Sequence, residues 1–191
     1  MKPKEKKSLF MPIFIIFILV FSTAGFIFGY GTSDSQQQTT EYNGFEFTQH
    51  TSGRWLTYMG DKPIALINYP GNVEDITFPI FLSLNDLNSA NKVYLTYDHN
   101  KSIDLVLTEF QFLRPYLNKP IIEACTTDIE QCSNIPLKTC DDAIPEEKVI
   151  HLSLANKTEI ITYNNNCILI EGKDIIKPVD RLVWQLLGVM K

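Results

Sequence analysis

Residues 92–124 read KVYLTYDHNKSIDLVLTEFQFLRPYLNKPIIEA, and this stretch decides the fold. Lys92–Tyr97 and Pro120–Ala124 are short runs with β-branched or aromatic residues, which are typical of strands. Between them, Ser102 is a suitable helix N-cap, and Ile103–Leu113 follows it as a helix that the next proline obstructs. A strand, a helix and a strand of these lengths predict a parallel β-α-β crossover.

Three further strands are predicted before this stretch. Phe45–Phe47 and Arg54–Tyr58 alternate apolar and polar residues, and Ser52-Gly53 joins them, which predicts a hairpin. Pro63–Tyr69 is rich in strand-forming residues and lies between two turn sequences. The pattern of Phe78–Leu87 is ambiguous, and a short helix is one interpretation of it.

Three more strands are predicted after the cysteine-bearing loop, at Val149–Leu154, Glu159–Tyr163 and Cys167–Ile170. Turns separate them at Asn156-Lys157 and Asn164-Asn165-Asn166. Because short turns join neighbouring antiparallel strands, we expect these three strands to form a meander.

The last helix has the clearest amphipathic pattern. Its apolar residues recur at helical spacing, and Asp180, Arg181 and Gln185 lie off their stripe. We expect the stripe to cover the domain's own sheet, and docking of a partner or a membrane surface is the alternative. The stripe contains Val179, Leu182, Val183, Leu186, Leu187 and Met190. Together these elements predict an α/β (α+β) fold with one mixed β-sheet and two or three helices.

The amino terminus has the pattern of a membrane anchor. Lysines at positions 2, 4, 6 and 7 precede Leu9–Tyr30, a run of twenty-two residues without a charge. As a helix this run is about 33 Å long, and the hydrocarbon core of a bilayer is about 30 Å thick. Because lysines next to a membrane helix stay in the cytoplasm, we expect a single-pass protein whose remainder lies outside the cell membrane.

Four parts of the chain are therefore expected: a basic cytoplasmic tail (1–8), a transmembrane signal-anchor helix (9–30), a polar linker (31–40) and an extracytoplasmic α/β domain (41–191). A cleaved signal peptide is the alternative, because Ser22-Thr23-Ala24 offers small residues at a cleavage site. The apolar run continues beyond that point, which favours the uncleaved anchor. Both interpretations place the domain outside the cytoplasm.

Gly25 and Gly29 form a G-x-x-x-G pattern inside the predicted anchor. This pattern lets two helix backbones approach closely in lipid, so it predicts a homodimer contact through the transmembrane helix. The alternative is that glycine is simply common in membrane helices.

Four cysteines lie in the predicted exterior domain. An even count outside the cytoplasm predicts two disulfides, and three pairings are open. We expect Cys132 to pair with Cys140 in one loop and Cys125 to pair with Cys167 between two strand ends. The close C-x-x-C pairs of most zinc and redox sites are absent, so we expect no metal bound to these cysteines.

No catalytic or cofactor motif is found in the sequence, so no cofactor is expected. His50, His99 and His151 are scattered and are expected to be surface or strand-edge residues. Asp141-Asp142 and Glu146-Glu147 lack the calcium-loop pattern and are interpreted as a solvated loop.

Asn100 and Asn156 begin N-x-S/T sequences at predicted loops, so both are candidate glycosylation sites on the exterior domain. The motif is short and also occurs by chance, and two solvent-exposed loops are the alternative interpretation.

Two segments resemble uncharacterised small single-pass membrane-anchored proteins of archaea. The first is EYNGFEFT (41–48) followed by RWLT (54–57), and the second runs from NNNCILIEG (164–172) to VDRLVWQLLGVM (179–190). The resemblance implies a membrane-tethered domain with paired cysteines, and an archaeal source would fit a retained anchor and surface glycosylation. It implies no activity and no binding residue.

The charge and the anchor together restrict the function. With 17 basic and 22 acidic residues, and a net charge of −5, the chain lacks the basic surface that a nucleic-acid binder needs. A tethered domain without a catalytic motif favours a binding or assembly module with an unidentified ligand, or with a membrane-protein or cell-surface partner. The alternative is an extracytoplasmic enzyme, either a hydrolase or a thiol–disulfide enzyme.

Overall fold

The computed structural model describes Ile18 and residues 38–79, 82–164 and 166–190, and the chain from Gln38 onward forms one unit. The predicted tail (1–8), the rest of the predicted anchor (9–30) with Gly25 and Gly29, and linker residues 31–37 lie outside the described residues. No helix in the described part of the chain has both the length and the apolar character needed to cross a bilayer.

The first four strands form an antiparallel sheet in the order β1-β2-β3-β4. They are β1 Thr39–Tyr42, β2 Phe45–Gln49, β3 Trp55–Met59 and β4 Lys62–Leu66. Asn43 and Gly44 connect β1 to β2 with positive φ angles of 50° and 83°, as a type I′ hairpin turn requires. The predicted hairpin between β2 and β3 is confirmed.

The remaining five strands form a mixed sheet in the order β6-β5-β7-β9-β8, in which only β8 is antiparallel to its neighbour. They are β5 Lys92–Tyr97, β6 Ile121–Cys125, β7 Glu147–Leu154, β8 Ile160–Asn164 and β9 Cys167–Gly172. The predicted parallel crossover from β5 to β6 is confirmed, and helix α2 (Asp104–Gln111) makes it.

The α+β class is confirmed, but the domain has two sheets where one was expected. The predicted meander is also wrong, because β9 pairs with β7 in parallel and β8 lies outside it at the sheet edge. Burial explains this order: β8 has one buried residue, whereas four of the six residues of β9 are buried, as suits an inner strand. In addition, β1 begins at Thr39, within the predicted linker.

Two of the helices begin differently from the sequence-based expectation. The ambiguous segment Phe78–Leu87 contains the start of α1 (Leu84–Ser89), which Ser83 and Asp86 cap reciprocally. Helix α2 has Ile103 at its N-cap, so the predicted cap by Ser102 is wrong. The hydroxyl of Ser102 instead donates to Asp104 Oδ2 at 3.1 Å.

Helix α3 (Ile176–Leu186) connects the two sheets through a single apolar core. The predicted apolar stripe is buried, as expected. Trp184 packs edge-on against Phe47 of the antiparallel sheet with ring centroids 5.4 Å apart, and its indole N–H donates to the Asn68 carbonyl at 2.8 Å. Asp180 and Arg181, which lie off the stripe, are buried as well, because the antiparallel sheet and its following loop cover their side of α3.

Candidate functional site

The four cysteines form two disulfides, and the expected pairs are wrong: Cys125 pairs with Cys132, and Cys140 pairs with Cys167. The reason is the order of the strands. Cys125 ends β6 and Cys167 begins β9, and two strands lie between these in the sheet. Three inter-strand spacings amount to about 14 Å, which is twice the Cα separation that a disulfide can bridge.

The disulfides hold the loop 126–146 against the sheet. This loop connects β6 to β7 without an α-helix, and it hydrogen-bonds to Cys125 through the Pro136 carbonyl and the Lys138 amide, both at 2.9 Å. The Thr96 hydroxyl donates to the Lys138 carbonyl at 2.7 Å. One face of the sheet, where Tyr94 and Val149 lie, is covered in this way.

A crevice opens where the parallel strands β5 and β7 end. The chain that leaves β5 goes to β6 on one side, and the chain that leaves β7 goes to β8 on the other side, so the carboxyl ends of β5 and β7 form a topological switch point. Ligands of open α/β sheets bind at such points, because the two connections diverge there and leave a gap.

The crevice has a volume of about 170 Å³, and we call it the carboxyl-end cleft. Five polar residues from the ends of three strands line it: Asp98, Lys101, Thr126, His151 and Ser153. The rest of its wall is formed by Tyr97, Ile103, Leu152, Leu154 and Ile175. The cleft therefore combines an apolar wall with one carboxylate, one ammonium group, two hydroxyls and one imidazole.

Lys101 reaches across the mouth of the cleft. Its Nζ lies 3.3 Å from the Leu154 carbonyl at the end of β7 and 3.8 Å from Asp98 Oδ2 at the end of β5. The other carboxylate oxygen of Asp98 accepts a hydrogen bond from the Asn100 amide at 3.1 Å. The side chains of Lys101 and Asp98 are 47% and 38% exposed, so the pair contributes little to stability and is accessible to a ligand.

His151 supplies an uncharged imidazole. Burial lowers the pKa of His151 below its ordinary value, so the ring is neutral at neutral pH. Its Nδ1 lies 3.8 Å from Cys140 Sγ, which places the ring next to the second disulfide.

A second polar cluster lies beside β6 at the same edge of the sheet. The rings of Tyr97 and His99 stack with centroids 4.0 Å apart, and His99 Nε2 lies 3.2 Å from the Ala124 carbonyl. The Tyr97 hydroxyl donates to Glu123, and burial together with this carboxylate raises the pKa of the phenol. Cys125, which forms the disulfide with Cys132, follows Ala124 as the last residue of β6.

Three other residues that were singled out in the sequence do not line the cleft. His50 lies in the exposed β2–β3 turn, where its Nδ1 is 3.0 Å from the Ser52 hydroxyl. Asp142 caps the turn that begins at Thr139, which lowers the pKa of its carboxyl group. Glu147 pairs with two lysines, and the hydrogen bonds from them lower its pKa.

Both predicted glycosylation sites are exposed and lie at the carboxyl edge of the sheet. Asn100 follows β5, and Asn156 follows β7. Asp98, Lys101, Thr126 and Ser153 were missed as candidate site residues. The signal that could have identified them is their position at the ends of predicted parallel strands.

Comparisons with known proteins give no relative: no protein-family model, no curated protein and no solved structure matches this chain.

Proposed function

We propose that this protein is a membrane-anchored, extracytoplasmic binding module that holds a small zwitterionic ligand in the carboxyl-end cleft. The observation that carries the proposal is Lys101, whose ammonium group spans the cleft between Asp98 and the end of β7. Both charges belong to one crevice at the switch point of the sheet, where α/β folds bind ligands.

The charges of the cleft favour a ligand with both an acidic and a basic group. Lys101 offers an ammonium group to a carboxylate, and Asp98 offers a carboxylate to an amine. The separation of 3.8 Å between them is long for a direct ion pair, so little energy is lost when a ligand separates them. The Thr126 and Ser153 hydroxyls and the neutral His151 can hydrogen-bond to the body of the ligand. Free amino acids and short peptides fit this chemistry and the volume of about 170 Å³.

The membrane anchor and the location of the domain outside the cytoplasm are part of the same proposal. It is supported by the uncharged run 9–30 after four lysines and by two disulfides, which persist in oxidising compartments. The full chain should remain in the membrane fraction after an alkaline carbonate wash. Release of the full chain into the wash would contradict the anchor and leave the binding proposal standing.

Calorimetric titration of the full chain in detergent tests the binding proposal. Glycine, L-alanine and glycylglycine are the probes, and at least one should give a saturable heat. Lys101→Ala should weaken that binding at least about tenfold, because one charge-assisted contact contributes about 1.5–3 kcal/mol. Lys62→Ala, which removes an exposed lysine from the antiparallel sheet, is the matched control and should bind like the wild type. The absence of a saturable heat from all three probes, or equal binding by Lys101→Ala, would overturn the proposal.

A further inference from the structure

Three metal-ligating side chains converge beside β6. One ring nitrogen of His99 and the sulfurs of Cys125 and Cys132 all lie within 4.8 Å of one another. Both cysteines are buried, and the His99 side chain is only 11% exposed. Among the described residues, no other group of three such side chains comes as close together.

We propose that reduction of the Cys125–Cys132 disulfide creates a binding site for one thiophilic divalent cation, with Zn²⁺ as the reference ion and His99 as the third ligand. The disulfide and the metal site are then alternative states of the same two sulfurs. In the oxidised state both sulfurs are engaged with each other, and no thiolate is available to a cation.

The redox step needs a dithiol as the reductant. A dithiol donates two electrons and two protons to the Cys125–Cys132 bond, so two cysteine thiols form and the dithiol becomes a disulfide. Each thiol then releases its proton to solvent when it binds the cation. Two thiolates and a neutral imidazole balance the charge of a divalent cation, which suits a buried site.

The two sulfurs are bonded to each other in the oxidised chain, so they must move apart after reduction to hold a cation between them. Zinc binds sulfur at about 2.3 Å and imidazole nitrogen at about 2.0–2.1 Å, so tetrahedral ligand atoms lie about 3.5–3.8 Å apart. The observed upper limit of 4.8 Å is about 1 Å longer. A water can occupy the fourth position, as it does in zinc sites with three protein ligands.

Further contacts already orient the imidazole. His99 stacks on Tyr97, and its Nε2 lies 3.2 Å from the Ala124 carbonyl. With the proton on Nε2, this nitrogen donates to the carbonyl, and the lone pair of Nδ1 is free for a cation. A backbone carbonyl that fixes the tautomer in this way is typical of metal-binding histidines.

The other disulfide provides a matched comparison within the chain. Cys140 also has a histidine beside it, with His151 Nδ1 at 3.8 Å from its sulfur. In the described part of the chain, the ligand atoms of His151, Cys140 and Cys167 do not all lie within 4.8 Å of one another. We therefore assign metal binding to the first disulfide alone.

Titration of the reduced full chain with Co²⁺, followed by displacement with Zn²⁺, tests the proposal. One Co²⁺ per chain should bind and produce the absorption bands of tetrahedral thiolate coordination, and Zn²⁺ should remove these bands. The oxidised chain should give none of them. Cys125→Ser/Cys132→Ser should abolish the bands, and His99→Ala should weaken binding at least about tenfold. His151→Ala should bind like the wild type.

A second measurement guards against unfolding of the variants. The His99→Ala chain with both disulfides formed should melt within a few degrees of the wild type. In a separate assay on the reduced wild type, Zn²⁺ should protect Cys125 and Cys132 from alkylation by iodoacetamide, as measured by mass spectrometry. Cobalt bands that persist in Cys125→Ser/Cys132→Ser, full binding by His99→Ala, or alkylation of both cysteines in the presence of Zn²⁺ would each overturn the proposal.

Discussion

Arg54 and Glu109 form an ion pair that fastens the antiparallel sheet to helix α2. The distance from Arg54 Nη2 to Glu109 Oε1 is 2.8 Å, and the glutamate side chain is completely buried. Arg54 also donates to the Ala65 carbonyl at 2.7 Å, so the guanidinium is held on both sides. The contact joins the β2–β3 hairpin to the crossover of the other sheet, so it links the two sheets in addition to their shared apolar core.

Arg54→Met should destabilise the domain by about 3–5 kcal/mol, because it leaves the buried Glu109 without its cationic partner. Arg54→Met/Glu109→Gln should recover a large part of that loss, since the second change removes the stranded charge. Urea denaturation followed by circular dichroism measures both. Equal destabilisation of the single and the double variant would contradict the ion pair as the cause.

Asp180 should make the stability of the domain depend on pH. Burial first, and then the charge of Glu109, raises the pKa of Asp180 from an ordinary value near 3.8 to about 8. The folded chain therefore keeps a proton that the unfolded chain has released. The contribution of Asp180 to the free energy of unfolding is therefore most favourable below about pH 4. It decreases as the pH rises to about 8, and above that pH it is constant.

The slope between these limits approaches about 1.4 kcal/mol per pH unit for one proton. Asp180→Asn should flatten it, because the amide keeps an oxygen for the Asn68 donors but does not titrate. Urea midpoints at pH 5, 6, 7 and 8 measure the difference between the two chains. A parallel decrease in both chains would assign the slope to another group.

Loss of the Cys140–Cys167 disulfide should cost more stability than loss of Cys125–Cys132. The first closes 27 residues and the second closes 7. The chain-entropy relation converts this ratio into a difference of about 1 kcal/mol. Thermal melting of Cys140→Ala/Cys167→Ala and Cys125→Ala/Cys132→Ala measures the order. The reverse order would mean that the contacts of loop 126–146 outweigh chain entropy.

Leu186→Asp should prevent folding, because a carboxylate would replace a buried residue of the α3 stripe. Lys177→Asp changes an exposed residue of the same helix and should leave the melting temperature within a few degrees of the wild type. The near-ultraviolet circular dichroism of the two variants separates these outcomes. A cooperative, wild-type transition for Leu186→Asp would contradict the core role of the stripe.

The sequence was sufficient for elements with a strong local pattern. The β5-α2-β6 crossover and the apolar stripe of α3 follow from spacing, turn residues and burial within one segment. The disulfide pairs and the position of β8 depend on which strands become neighbours, and local spacing does not encode that order. The burial of Asp180 and Arg181 was not predicted, because the helical pattern shows one apolar face and not a second layer of structure packed against the polar one.

The candidate site could not be predicted from local sequence patterns, because it depends on which strands are neighbours in the sheet. Single residues such as Lys101 and Ser153 have no motif around them, and they become a cleft only when β5 and β7 lie side by side. His99 and Cys132 are 33 positions apart in the chain, and the return of loop 126–146 to the end of β6 brings them together.

The placement of Asn100 and Asn156 after two adjacent strands has a consequence for access. A sugar chain on Asn100 would be attached one residue before Lys101, which spans the carboxyl-end cleft. A sugar chain on Asn156 would be attached just after β7, on the other side of the cleft. Carbohydrate at these two positions would therefore shield the entrance, and the extent of glycosylation would set how readily a ligand reaches Lys101.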